Sequence, residues 1–462
     1  MNHIRLISPV DGSLYAERAI IGSHELEQVL RRAGEAQRVW RELSIERRAG
    51  YCLKAVDAML AMKDEIVPEL AWQMGRPVRF GGGELRGFEE RARHMIGIAE
   101  SALADVLPAP KEGFRRFIRR EPLGTVLVIA PWNYPYLTAV NAIIPALMAG
   151  NAVLLKHASQ TLLVGERFAA AFARAGLPEG LFHNLVLDHG QTAALIASGQ
   201  VQQVNFTGSV EAGRMMESAA AGHFIGVGLE LGGKDPAYVR GDADLAHAVE
   251  NLVDGSFFNS GQSCCGIERI YVDKALYPAF VEGFVALTKQ YVLGSPLNED
   301  TTLGPLVRAQ AAEFVRGQIA EAKARGAKAL IDPSHFAADA PGTPYMAPQV
   351  LTGVSHEMAV MREESFGPVV GIMPVAGDAE AIELMNDSPY GLSAAIWTSD
   401  PDAAERIGDR LHTGTVFMNR CDYLDPALAW TGVKHSGRGA SLSSLGYEHL
   451  TRPKSFHLRH AL

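Results

Sequence analysis

Cysteine is scarce in this chain, with four in 462 residues, at positions 52, 264, 265 and 421. That is too few, and too unevenly placed, for a disulfide framework, and it points to a reducing, cytoplasmic setting. No C-x-x-C or H-E-x-x-H spacing occurs, so no metal site is expected. Positive charge is in deficit: 43 Lys and Arg stand against 52 Asp and Glu, a formal net charge of −9. Without a basic stripe to neutralise phosphates, nucleic acid is not an expected partner. Uninterrupted apolar runs are also missing. The longest apolar region, Thr125 to Leu155, is broken by Pro131, Pro135, Pro145 and Gly150 and by Asn133, Asn141 and Asn151. It does not read as a membrane span. The opening MNHIRLISPVDG lacks the apolar stretch of a secretory signal. Finally, G-x-G-x-x-G occurs nowhere, so a standard Rossmann phosphate turn is not supported.

What is present reads as an ordinary globular composition, with 47% hydrophobic and 21% charged residues. A chain of this length exceeds one compact core, so two or three domains are expected. Residues 24 to 105 carry apolar positions at helical spacing, stopped at Gly75 and Pro77. The rhythm then changes. "GTVLVIAP", "NAVLLKHA", "LFHNLVL" and "VQQVNFTG" are short apolar runs suited to strands buried on both faces. They alternate with the helical stretches "NAIIPALMAG", "TLLVGERFAAAFARAG", "TAALIASG" and "SVEAGRMMESAAAG". That alternation predicts a doubly wound parallel α/β sheet. A second strand–helix series comes after residue 232 and predicts a second domain of the same class. Two basic-aromatic segments, 112–122 and 452–462, belong to neither core and suit strand pairing between subunits.

Individually, the chemistry-bearing stretches have bland readings. Thr207-Gly208-Ser209 through Gly213 comes after a strand and opens a helix. A helix N-terminus of small residues can hold a pyrophosphate through its free N–H groups, and it can equally be a plain strand-to-helix turn. Arg214 and Met215 stand where a P-loop needs Lys and Ser/Thr, which rejects nucleotide hydrolysis. In "NSGQSCCG" (259–266) small polar residues could expose a working thiol, but buried structural cysteine is commoner. Adjacent side chains diverge, so one of Cys264 and Cys265 is expected to face a given pocket. Glu230 in "LELGGK", Asn133 in "PWNYP" and Lys156 in "VLLKHA" could each be a surface or turn residue.

Taken together and in order, "PWNYP", "VLLKHA", "NFTGS", "LELGGK", "GQSCC" and "EESFGPV" resemble the aldehyde dehydrogenase superfamily along nearly the whole chain. The resemblance implies that Cys264, ending Gly-Gln-x-Cys, is the nucleophile and that Cys265 is a packing neighbour. It implies Glu230 as general base and Asn133 as oxyanion-binding amide, a set that splits aldehyde oxidation into thiohemiacetal and thioester steps. Lys156, Gly208, Ser209, Gly213, Glu364 and Phe366 match positions that hold NAD or NADP, and Trp132 lines the same cleft. Retention of Glu230 argues against the CoA-acylating branch. The implied fold comprises a cofactor-binding domain (1–106 and 124–232), a catalytic domain (233–434) and a small β oligomerisation element (107–123 and 445–462). A homodimer or homotetramer acting on a small-molecule aldehyde is expected.

Departures from the family pattern sharpen the reading. Ser159 stands where many NAD-preferring relatives carry a glutamate, with His157 nearby. A missing carboxylate removes a like-charge penalty against a 2′-phosphate, so NADP is expected to be tolerated. The C-terminal frame Ala429-Trp430-Thr431-Gly432-Val433-Lys434-His435-Ser436-Gly437 places Trp430 at an aromatic position. Tyr134, Asn141 and Trp430 are expected to line the aldehyde tunnel. The Lys-His-Ala motif and the chain length resemble the shorter semialdehyde dehydrogenases. Arg269 and Arg420 are candidate carboxylate clamps, and an aliphatic or aromatic aldehyde is the alternative substrate. A thiol acyl hydrolase or a non-enzymatic protein on this fold would leave the cofactor motifs or the retained Cys264 and Glu230 unexplained.

Overall fold

The computed structural model describes residues 3–421 and 423–460. Residues 1 and 2, Asp422, and 461–462 of the expected oligomerisation element lie outside them. Four helices open the chain after a short hairpin: Ser23–Trp40, Ile45–Leu60, Lys63–Met74 and Val78–Ala102. The hairpin, His3–Ile7 against Leu14–Ala19, has no counterpart in the sequence reading. Its strands are largely exposed, so they lack the apolar signal of a buried strand.

Two large sheets come next. The first has six strands in the order Gly437–Arg438, Gly226–Glu230, Gln203–Thr207, Thr125–Ala130, Ala152–His157 and Phe182–Asn184. All neighbours are parallel except the two-residue edge strand Gly437–Arg438, which pairs Gly437 with Glu230 and Arg438 with Leu229. Alternation along each strand feeds two cores. Val126, Val128, Val153 and Leu155 pack with Tyr136, Ile143 and Phe168 on one face. Leu127, Ile129, Leu154 and Val204 pack with Trp40, Leu195 and Met216 on the other. Every residue of Thr125–Ala130 is buried, which is why this strand reads as a continuous apolar run. Burial of each Val, Leu or Ile side chain contributes about 1.5–3 kcal/mol.

The chain runs outward from Thr125–Ala130 through Ala152–His157 to Phe182–Asn184, then returns to the other side of Thr125–Ala130. The order therefore reverses between Ala130 and Thr207, and a crevice opens at the carboxyl ends of such a switch point. The second sheet has seven strands: Lys328–Ala329, Gln349–Thr352, Val369–Val375, Ile267–Asp273, Asp235–Val239, Ser393–Trp397 and Thr415–Met418. Only the first pair is antiparallel. The architecture is thus two mainly parallel α/β sheets plus two small antiparallel pairs. In the second of these pairs, Phe114–Pro122 runs against Thr451–Arg459 over nine residue pairs, from Thr451–Pro122 to Arg459–Phe114. Phe117 stacks on Phe456 at 4.4 Å within it.

Candidate active site

A cavity of about 860 Å³ lies between the two sheets. From the first sheet it receives Trp132, Asn133 and Tyr134 beyond Ala130, Lys156 and Ser159 at the end of Ala152–His157, Gly208 and Ser209 beyond Thr207, and Glu230 itself. From the second sheet come Cys264, Glu364 and Phe366; Asn141 and Trp430 complete the wall. Gly213 is the exception among the anticipated residues. It lies off the cavity, where an added Cβ would sit 2.7 Å from Leu231 Cδ2, so the glycine lets its helix approach Leu231 closely.

The thiol loop is built from strained backbone. Asn259 and Ser260 have φ of 54° and 57°, values that non-glycine residues rarely adopt. Buried side chains hold them there. Gln262 Nε2 donates to Asn259 O at 3.1 Å, and Val307 N donates to Gln262 Oε1 at 2.8 Å. A tight turn then closes, with Gly266 N donating to Ser263 O at 3.2 Å. Both residues of the pair border the cavity. They differ in access: Cys264 is half-buried, whereas Cys265 is 5% exposed and packs into the first core. The Cys264 thiol is held well above its ordinary pKa by a hydrogen bond with Cys265, by burial and by the nearby Asp235 and Glu364 charges.

Asn133 is fixed from three sides. Its Nδ2 donates to Gln262 O at 3.2 Å, and its carbonyl accepts from Arg76 Nη2 at 2.5 Å and from Asn259 Nδ2 at 3.2 Å. Arg76 is itself paired with buried Glu84, whose other oxygen accepts the Tyr136 and Leu137 N–H groups at 2.9 and 3.0 Å. One buried ion pair therefore ties the asparagine loop, the thiol loop and the N-terminus of helix Pro135–Met148 into a single frame. Sequence reading missed Arg76, Glu84 and Asn259. Glu84 carried a signal, since it falls on the buried face of helix Val78–Ala102.

Glu230 accepts from Thr207 Oγ1 at 3.2 Å and from Ser441 Oγ. Burial raises its pKa, and these two hydroxyls oppose the rise. Ser441 is held by a two-way backbone exchange with Trp430, at 2.8 and 2.9 Å, so Trp430 also positions the carboxylate's partner. The glycine pair after Leu231 has a steric reason. A Cβ on Gly232 would fall 2.2 Å from Glu364 Oε2, and one on Gly233 2.5 Å from Cys264 O. Glu364 instead accepts the Gly233 N–H at 3.0 Å, and burial together with the Glu268 charge pushes its pKa up to about 8. Lys234 pairs with buried Glu268, which receives the Ser365 and Phe366 N–H groups at 2.8 and 3.0 Å. Phe366 adopts φ of 50° and meets the Trp132 ring edge-on at 5.6 Å.

The other end of the cavity suits a dinucleotide. Gly208 and Ser209 sit at the N-terminus of helix Val210–Ala220, where Ser209 Oγ caps the Ala212 N–H at 3.3 Å. Free N–H groups and the helix dipole there favour a pyrophosphate. Lys156 is buried, and among the described residues its amine has no hydrogen-bond or ion-pair partner; burial lowers its pKa. An unpartnered amine on the cavity wall, with a positive helix end on the same wall, fits a ribose and its phosphates. His157, anticipated nearby, is turned away. It bonds Pro135 O at 3.2 Å and Thr161 at 3.0 Å, and burial lowers its pKa to about 4. The histidine on the wall is His189.

A thiol-bearing turn, a fixed amide, a buried carboxylate and a helix N-terminus with a free amine on the same wall meet in one cleft. The aldehyde dehydrogenase family model matches residues 1–456, and the chain belongs to that family. It is 35% identical over 447 residues to the NAD(P)+ succinate semialdehyde dehydrogenase Sad of Escherichia coli (strain K12), covering 96% of this chain and 95% of that protein. An aldehyde dehydrogenase of Paenarthrobacter nicotinovorans is 34% identical over 97% of this chain and 99% of its own length. Among solved structures, succinic semialdehyde dehydrogenase from Streptococcus pyogenes in complex with NADP+ superposes with a TM-score of 0.94 at 28% identity, covering 99% of this chain and 100% of that one. Among the described residues, no helix is long and apolar enough to cross a membrane, and no His/Cys/Asp/Glu group is arranged to hold a metal.

Proposed function

We propose that this protein oxidises an aldehyde to the carboxylic acid with NAD or NADP, through a thioester on Cys264. The observation that carries the proposal is the single cavity shared by Cys264, Asn133, Glu230 and the Lys156–Ser209 cradle. Cys264 sulfur adds to the aldehyde carbon, and the Asn133 amide and the Cys264 N–H stabilise the oxyanion of the tetrahedral adduct. The thiol proton leaves first; Glu230, on the same cavity wall, is the base, and burial makes it a stronger one by raising its pKa. The bound nicotinamide dinucleotide supplies a hydride acceptor. Loss of hydride from the adduct carbon leaves a thioester on Cys264. Glu230 passes the first proton to solvent and takes another from water as the water oxygen adds to the thioester carbon; the sulfur departs, regains that proton from Glu230, and the free acid leaves.

Lys156, Gly208, Ser209, Glu364, Phe366 and Trp132 are the residues assigned to hold the dinucleotide, and Tyr134, Asn141 and Trp430 to line the aldehyde tunnel. Ser159 brings no negative charge against a 2′-phosphate, and His189 on the same cavity wall offers a donor, so both dinucleotides are accepted. The semialdehyde-oxidising relatives favour an aldehyde of that class. The ribbon of 114–122 and 451–459, with one broad exposed face, supports the reading of a homodimer or homotetramer. The cysteine pattern supports a cytoplasmic enzyme. Purified protein with either dinucleotide and an aldehyde panel, followed at the reduced-nicotinamide absorbance, tests this. Turnover with both is expected. No reduction with any aldehyde would overturn the proposal, and a preference for NAD beyond about a hundredfold would overturn the Ser159 argument.

A further inference from the structure

Neither arginine singled out from the sequence can serve as a carboxylate clamp. Arg269 is 1% exposed, and its guanidinium is spent on Lys234 O at 2.8 Å, Tyr271 Oη at 3.2 Å, and Leu384 and Met385 O at 3.2 Å. Arg420 is exposed and lies over the Tyr423 ring at 4.1 Å. Neither touches the cavity. A third arginine does. Arg91 sits on the buried face of helix Val78–Ala102, between Phe88 and Met95, where an apolar residue is the rule. It is 9% exposed, and it lines the cavity.

Its bonding is incomplete. Nη1 donates to Leu137 O at 2.9 Å and, more weakly, to Asn141 Oδ1 at 3.4 Å; among the described residues, Nε and Nη2 have no hydrogen-bond partner. No ion pair among the described residues includes Arg91. The neighbouring carboxylates are already engaged, Glu84 by Arg76 and Glu230 by Thr207 and Ser441. The Glu84 and Glu230 charges act on the buried guanidinium without bonding it, and donors left unmade on a buried cation are costly. The cavity that Arg91 lines is where an acceptor for them can sit. Arg308, also on the wall, is exposed and so is not buried in this way.

We propose that Arg91, with Asn141, is the specificity-determining anion site of the tunnel and receives the far-end carboxylate of a short ω-oxo acid. This rests on the aldehyde-oxidising function proposed above. The planar guanidinium offers a fork that matches one carboxylate, and the Asn141 amide, held through its oxygen, leaves its Nδ2 free to donate to the second oxygen. Leu137 and Asn141 lie one and two turns along the helix that begins beside Asn133. This places the anion roughly 6–12 Å from the oxyanion amide along the helix axis, the span of a chain of about four carbons. A single buried cation also suits a singly charged carboxylate better than a phosphate dianion.

The test compares 4-oxobutanoate, butanal and a phosphorylated short aldehyde in the full-length enzyme and in Arg91→Met and Arg91→Lys. Wild type is expected to favour 4-oxobutanoate over butanal in kcat/KM by about a hundredfold. Arg91→Met should abolish that preference through 4-oxobutanoate alone, leaving butanal within about threefold, and Arg91→Lys should restore part of it. Equal loss on both substrates would show instead that the charge serves Glu230 and Cys264, and would overturn the assignment; so would a preference for butanal or the phosphorylated aldehyde. A second reading needs no turnover. Succinate should slow alkylation of Cys264 by iodoacetamide in wild type and not in Arg91→Met; equal rates with and without succinate in wild type would also overturn it. An enzyme that succinate protects but that oxidises no aldehyde would retain the anion site and sink the proposed function.

Discussion

The two large sheets carry the same buried parallel pattern, yet they present opposite ends to the cavity. The six-stranded sheet delivers residues just beyond its strands: Trp132 and Asn133 after Ala130, Ser159 after His157, Gly208 after Thr207. The seven-stranded sheet delivers residues just ahead of its strands: Gly232 before Asp235, Cys264 before Ile267, Phe366 before Val369. Carboxyl ends of parallel strands open onto helix N-termini, which suits phosphate binding. Amino ends are approached by turns and loops, which can hold strained backbone such as Asn259, Ser260 and Phe366 if buried polar side chains clamp it. The proposed roles divide unevenly: the first sheet mainly supplies dinucleotide contacts and the loop before Ile267 supplies the nucleophile, while Asn133 brings proposed chemistry from the first sheet and Glu364 and Phe366 bring proposed dinucleotide contacts from the second. Glu230 is the most informative exception, a proposed base at the end of a strand of the first sheet.

The largest effect that could break this division is at the thiol. Cys264→Ser should lower steady-state dehydrogenase activity at least about a thousandfold, because a nucleophile acting in a concerted set has no substitute. Cys265→Ser should keep activity within about threefold. Equal loss from both would make the buried neighbour a participant. Next comes the exception. Glu230→Gln should retain a stoichiometric burst of reduced nicotinamide and then turn over about a hundredfold or more slowly. In wild type the same carboxyl, its proton held by burial, must ionise to act, so steady-state rate should climb with pH through a value above the ordinary carboxylate range. A pH-independent plateau starting in the ordinary carboxylate range, or full turnover by Glu230→Gln, would remove it as base. The smallest effect sharpens the binding side: Lys156→Met should raise the dinucleotide KM about tenfold or more while kcat changes little. A kcat loss matching that of the thiol variants would blur the two roles.

Much of this was legible in the chain. The strands Thr125–Ala130 and Ala152–His157 announce themselves because a strand buried on both faces must be apolar at every position. The helices Ser23–Trp40 to Val78–Ala102 do so by spacing. Cys264, Glu230 and Asn133 stand out through their ordered motifs, although each alone reads as a turn or surface residue. Arg76 and Arg91 were not legible, and of Glu84 only its place on a buried helix face was. They lie far in sequence from the loops they serve, and burying a charge depends on partners that no local window contains. Gly213 was legible only as a motif position; the structure adds that a Cβ there would meet Leu231.

Residue order and type were enough to settle the α/β class, the alternation that builds both sheets, and the small set of side chains capable of thiol chemistry, because periodicity and residue type are local properties. The folded arrangement was needed to decide which cysteine is the more open, which glycine is spent on packing, and which arginine faces the cavity. Those outcomes turn on desolvation and on contacts between segments such as 76 and 133, or 232 and 364. Such contacts exist only once strand order has brought the segments together.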